Sequence, residues 1–96
     1  MYRIIEGRGT GKTSRLMQLA KESGAAFVCS NPHAMEQKAR AYGIVGIDFV
    51  DYHTYLTKGN KYKKIVIDEL EAFLKYTALT HCGGSELIGY TISTGD

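Results

Sequence analysis

Two stretches of this chain carry residues of the types and spacing that handle a phosphate group. The first is "GRGTGKTS", Gly7 to Ser14. Gly7, Gly9 and Gly11 permit a tight loop whose backbone N–H groups, including those of Arg8 and Thr10, can curl around an anion. Lys12 is placed to reach β- and γ-phosphates, the Thr13 hydroxyl to bind Mg²⁺, and Ser14 to close the loop. The second stretch is "IVIDE", Ile65 to Glu69, an apolar run ending in two acids. Asp68 suits a hydrated Mg²⁺, and Glu69, one residue on, suits a water molecule as general base. A competing reading makes Glu69 simply the first residue of a helix, where an acid is favoured by the helix dipole.

Elements must hold these residues in place, and the sequence alternates them. "YRIIE" (Tyr2 to Glu6) reads as a buried strand leading into the loop, and a helix follows from Lys12 or Thr13 to about Glu22, closed by Ser23-Gly24. "AAFVCS" (Ala25 to Ser30) is a second strand. Asn31-Pro32 then opens a helix, with Asn31 as cap, Met35, Ala39 and Tyr42 inward, and Gly43 as its end. "GIDFVDY" (Gly46 to Tyr52) is a third strand, and "LTKGNKYK" reads as a surface turn. Lys63 to Glu69 is the clearest strand. A helix from Glu69 to about Leu79 has Leu70, Phe73, Leu74, Thr77 and Ala78 on one face, and "ELIGYTIST" (Glu86 to Thr94) gives the last strand. This order predicts a three-layer α/β/α sandwich with a mostly parallel sheet of about five strands, whose ligands bind at the carboxyl ends of the strands.

Composition is compatible with that picture. The 96 residues suffice for one domain, residues 1–96, and 44% of them are hydrophobic. A net charge of +2 is too mild to imply a nucleic-acid or membrane partner without a localised patch. No signal-peptide pattern or bilayer-length apolar run is seen, so the expected compartment is the cytoplasm. Cys29 and Cys82 lack the spacing of a metal knuckle or redox pair and read as bystander thiols. The three histidines, His33, His53 and His81, have no partners at ligand spacing, and no protein-held zinc is expected.

The loop and acidic strand together resemble the P-loop NTPases, in the branch that sets a catalytic glutamate after the Walker B aspartate. "GRGTGKT" is similar to the loop of phage-encoded terminase-type and helicase-type ATPase cores, and "IDFVDYHTYL…YKKIVIDELEAFL" to the helicase stretch leading into the acidic box. One residue departs from the pattern: Glu6 stands where the Walker A consensus begins with glycine. Its carboxylate would repel a triphosphate unless turned aside, towards Arg8 or Arg15. For such a family the resemblance implies ATP with Mg²⁺, Lys12 and Glu69 in catalysis, Thr13 and Asp68 at the metal, and a γ-phosphate sensor at Ser93 or Thr94.

No arginine finger is evident, and such a residue can be worth about 10³ to 10⁵ in rate. Either self-association or a larger protein partner is expected to supply it, or turnover is slow. Two functional readings follow: Mg²⁺-dependent ATP hydrolysis by a minimal core, or a non-catalytic nucleotide-binding module that regulates or inhibits a larger protein. A small-molecule kinase fits less well, because no arginine-rich lid segment follows the core. Lys58, Lys61, Lys63 and Lys64, with Tyr55 and Tyr62 as stacking groups, offer a nucleic-acid surface that competes with an ordinary solvated loop.

Overall fold

The computed structural model describes residues 11–81. They form a small α/β domain in the order α1 (Lys12–Ser23), β1 (Ala26–Cys29), α2 (Pro32–Ala41), β2 (Phe49–Asp51), α3 (Tyr52–Lys58), a 3₁₀ turn (Gly59–Lys61), β3 (Ile65–Ile67) and α4 (Leu70–His81). The three strands make one parallel sheet in the order β2-β1-β3. The expected strands Tyr2–Glu6 and Glu86–Thr94 lie outside the described residues.

β1 is central because every one of its residues can be buried. Ala26, Phe27, Val28 and Cys29 are all enclosed, as suits a parallel strand covered on both faces. Successive side chains alternate between the faces. Phe27 and Cys29 join Met17 and Ala20 of α1 and Ala39 of α2 in one cluster, with Leu16, Met35 and Val66 packed against it. α1 and α2 therefore cover the same face. Fully burying Phe27, whose ring meets Phe49 edge-on at 5.3 Å, contributes about 1.5–3 kcal/mol.

Local signals explain the helix limits. Gly24 takes a left-handed conformation after α1, and its N–H returns to the Ala20 carbonyl. The Asn31 side chain accepts from the Ala34 N–H at 3.1 Å, with Pro32 in the first turn of α2. Tyr42, expected inward, caps the far end of α2 and is 53% exposed; Ile44 is buried in its place.

Two further expectations are corrected. The expected surface turn, Leu56 to Lys63, begins inside a helix, α3, nucleated by Asp51, whose carboxylate accepts from the Thr54 N–H at 2.6 Å, and continues as the 3₁₀ turn Gly59–Lys61. Asp51 ends β2, as expected, and also caps this helix. In α4 the expected face is rotated: Leu70 and Leu74 are 45% and 42% exposed, whereas Phe73 and Tyr76 carry the packing. Both rings meet Tyr52, at 5.3 and 5.6 Å, and this aromatic cluster sets the helix rotation.

Candidate functional site

The carboxyl ends of the strands converge on a polar rim. Cys29 ends β1, Asp51 ends β2 and Asp68 follows β3 directly. Asp68 is fixed through its backbone on two sides. Its N–H donates to the Val28 carbonyl at 3.0 Å, extending the β1–β3 ladder, and its carbonyl accepts from the Tyr52 hydroxyl at 3.2 Å. A main chain held in this way aims the carboxylate reproducibly.

α1 brings the second half of the rim. The Thr13 hydroxyl donates a hydrogen bond to the Asp68 carboxylate, and the Lys12 ammonium lies close enough to favour that carboxylate's charge. Residues far apart in sequence are thus joined at one point, the amino end of α1 against the carboxyl end of β3. Gly11 precedes the helix in a left-handed conformation, φ 78°, which an L side chain adopts at a cost. The Ser14 hydroxyl turns back to donate to the Gly11 carbonyl at 3.0 Å, so it serves the turn itself.

The amino end of α1 differs from those of its neighbours. α2 and α3 satisfy a first-turn N–H with the side chains of Asn31 and Asp51, whereas the residue before α1 is Gly11, which has no side chain to offer, and the first turn of α1 carries no acid. The positive end of its dipole favours an anion there.

Asp68 is half-buried, and its carboxyl is held above the usual carboxylate range. Burial is the main cause and the neighbouring Glu69 charge the second; Lys38, Lys12 and the Thr13 hydrogen bond pull in the opposite direction. Lys38, on α2, was not singled out by the sequence, since only folding brings that helix to the rim. A half-buried carboxylate beside a second acid is costly to charge.

Glu69 is exposed and occupies the position before α4, its carbonyl accepting from the N–H groups of Ala72 and Phe73 at 3.0 and 3.2 Å. Its φ of 56° makes it the one non-glycine residue with positive φ among those described. That conformation costs an L residue roughly 1–2 kcal/mol. Strain of this kind gathers where a side chain must be aimed. The structure thus places Glu69 both at the start of a helix and beside Asp68.

Several other groups stand around the rim or on the helices beside it. Burial and the charges of Glu69 and Asp68 push the Tyr52 hydroxyl up to about 12, so it remains a proton donor to the Asp68 carbonyl. Burial likewise raises the Cys29 thiol to about 11, where it is a neutral packing group within 3.9 Å of the Val50 carbonyl. The Asp51 carboxyl is lowered, first by the Thr54 N–H, as befits a cap. His33 lies in the first turn of α2 beside Gln37, His53 in the first turn of α3, and His81 at the end of α4.

Of the residues singled out for phosphate and metal, Gly11, Lys12, Thr13, Ser14, Asp68 and Glu69 are described and lie at this rim. Gly7, Arg8, Gly9, Thr10, Ser93 and Thr94 lie outside the described residues, as do Glu6 and Cys82. No protein-family model, curated protein or solved structure matches the chain.

Proposed function

We propose that this chain binds a nucleoside triphosphate with Mg²⁺ at the junction of α1 and β3 and hydrolyses it slowly. The observation that carries the reading is the hydrogen bond from Thr13 to Asp68, which pairs a hydroxyl after Gly11-Lys12 with the acid ending an apolar strand. The amino end of a helix beside it supports an anion, and a half-buried carboxylate supports a cation.

The oxygen donors fit Mg²⁺, which favours one or two protein oxygens together with phosphate oxygens and water. Thr13 and Asp68 would hold it, and when bound it supplies charge neutralisation at the phosphates. Lys12 and the N–H groups opening α1 bind and orient the phosphates. Glu69 accepts a proton from the attacking water at its carboxylate. Lys38, on α2, adds positive charge at Asp68 beside that of Lys12. The five-strand sandwich belongs to the same proposal: among the described residues β3 is half-buried and pairs on one side, with β1, and its other edge suits the strand that leads into the loop.

A second reading, nucleotide binding without turnover, is favoured by one observation: Glu69 takes a helix-opening position and has a structural use there. Phosphate release from ATP by wild type and Glu69→Gln decides between them. Hydrolysis requires release by wild type, loss of release in Glu69→Gln and retained ATP binding. Wild type that binds ATP and never releases phosphate, alone or with single-stranded DNA added, establishes the binding module.

A further inference from the structure

A second charged feature lies at the opposite end of the sheet. A cavity of about 440 Å³ opens where the strands begin, and Lys21, Lys61, Lys63 and Lys64 line it together with Tyr62 and Asp48. The position follows from the ladder. The Ala26 N–H donates to the Lys64 carbonyl at 3.0 Å and the Phe27 N–H to the Asp48 carbonyl at 2.8 Å, so these segments meet at the amino ends of β1, β2 and β3. At about 3.3 Å per residue, the strands set this cavity on the order of 10 Å from the nucleotide rim.

Folding has changed the lysine cluster of the sequence. Lys58 ends α3 and does not line the cavity, while Lys21 joins from the last turn of α1. All four lining lysines are exposed, and Asp48 is the only carboxylate lining the cavity among the described residues. Four lysines against one carboxylate make this concave surface the kind of localised patch that a polyanion needs. It also holds a flat apolar group: the Tyr62 ring stands 6.5 Å from that of Tyr55, and the Lys61 ammonium is 5.7 Å from its centre.

We propose that this surface binds the backbone of single-stranded nucleic acid, with the lysines on phosphates and Tyr62 stacking on a base. The lysines alone would suit any polyanion, including an acidic protein segment. The half-buried aromatic ring among them favours nucleic acid, because every base offers a face to stack on and an acidic peptide does not. The proposal is independent of the nucleotide site at the other end of the sheet.

The experiment is fluorescence anisotropy of a fluorescein-labelled oligodeoxythymidylate of about 16 nucleotides, the upper site size for one small domain, titrated with the full chain at several salt concentrations. Four phosphate contacts give a log–log salt slope of about −2.8, hence about 50-fold weaker binding in 200 mM than in 50 mM salt. Lys63→Ala/Lys64→Ala halves the slope to about −1.4. Tyr62→Phe retains binding, and Tyr62→Leu, with unchanged circular dichroism, weakens it by about 5-fold or more. Lys12→Ala binds the oligonucleotide as wild type does. The proposal is overturned by absence of binding in 50 mM salt, by an unchanged slope in the double variant, or by loss of binding in Lys12→Ala. It is equally overturned if Tyr62→Leu matches wild type and polyglutamate binds as tightly, which would assign the surface to acidic protein.

Discussion

Replacing Asp68 by Asn should make the free protein more stable and leave it unresponsive to nucleotide. The Asp68 carboxyl is held above its ordinary value of 3.8 by burial and by the Glu69 charge, so folding favours its neutral form. Asparagine imitates that form: its side-chain oxygen still accepts from Thr13, while the desolvated charge and its repulsion by Glu69 are gone. Solvent screening of this half-exposed group keeps the gain modest, roughly 0.5–1 kcal/mol, or a rise in Tm of about 2–8 °C for a domain of this size. Its pH dependence has a definite sign. Above pH 3.8 the unfolded chain releases this proton before the folded chain does, so wild-type stability from this group falls as pH rises through the folded value. An asparagine side chain does not titrate, and the Tm difference between variant and wild type should grow from acid towards neutral pH and then level off. Mg²⁺ and ATP at a hundred times the Kd should add about 2.7 kcal/mol to wild type and nothing to Asp68→Asn, which reverses the order of stability. Thermal unfolding by circular dichroism across the pH range, with and without Mg²⁺-ATP, measures both parts. A variant less stable than wild type at every pH, or one stabilised by nucleotide as much as wild type, would refute the reasoning.

Glu69→Gly should relieve the positive φ of 56° and raise the urea midpoint by about 1 kcal/mol of stability, while phosphate release is lost; a lower midpoint would show that the side chain, not the strain, dominates. Gly11→Ala should cost about 1 kcal/mol through its φ of 78° and not through crowding, since the nearest atom to an added Cβ is the Ser14 Oγ at 3.6 Å; urea unfolding would show the loss and calorimetry a weakened ATP affinity. Asp51→Ala should lose about 1 kcal/mol near neutral pH by uncapping α3. Because the Asp51 carboxyl is lowered from 3.8, that difference should persist above this value and vanish as pH falls through the folded one, as unfolding at stepped pH would reveal.

Legibility in the sequence followed the range of the interaction. α1 and α2 were readable to within a residue or two because Gly24, Asn31 and Pro32 act on their own backbone neighbours. The central strand was readable because complete burial leaves a continuous apolar run. α3 was hidden because Asp51 serves two elements, ending β2 with its backbone and starting the helix with its side chain. The rotation of α4 was hidden because Tyr52, Phe73 and Tyr76 choose one another across the fold, a preference that helical periodicity does not carry. At the rim, Thr13 and Asp68 could each be named from local pattern. Lys38, Tyr52 and the convergence of Lys21 on the loop lysines depend on which elements become neighbours, and no spacing along the chain encodes that.

The central claim is that Lys12, Thr13 and Asp68 form a magnesium-dependent triphosphate site. Isothermal titration of ATP into the full chain, in Mg²⁺ and then in EDTA, tests it most directly, with Lys12→Ala as the matched variant. The account predicts saturable one-site binding in Mg²⁺, marked weakening in EDTA, and loss of binding in Lys12→Ala that remains folded by circular dichroism. Absence of heat in Mg²⁺, or an affinity that neither EDTA nor Lys12→Ala alters, would contradict it.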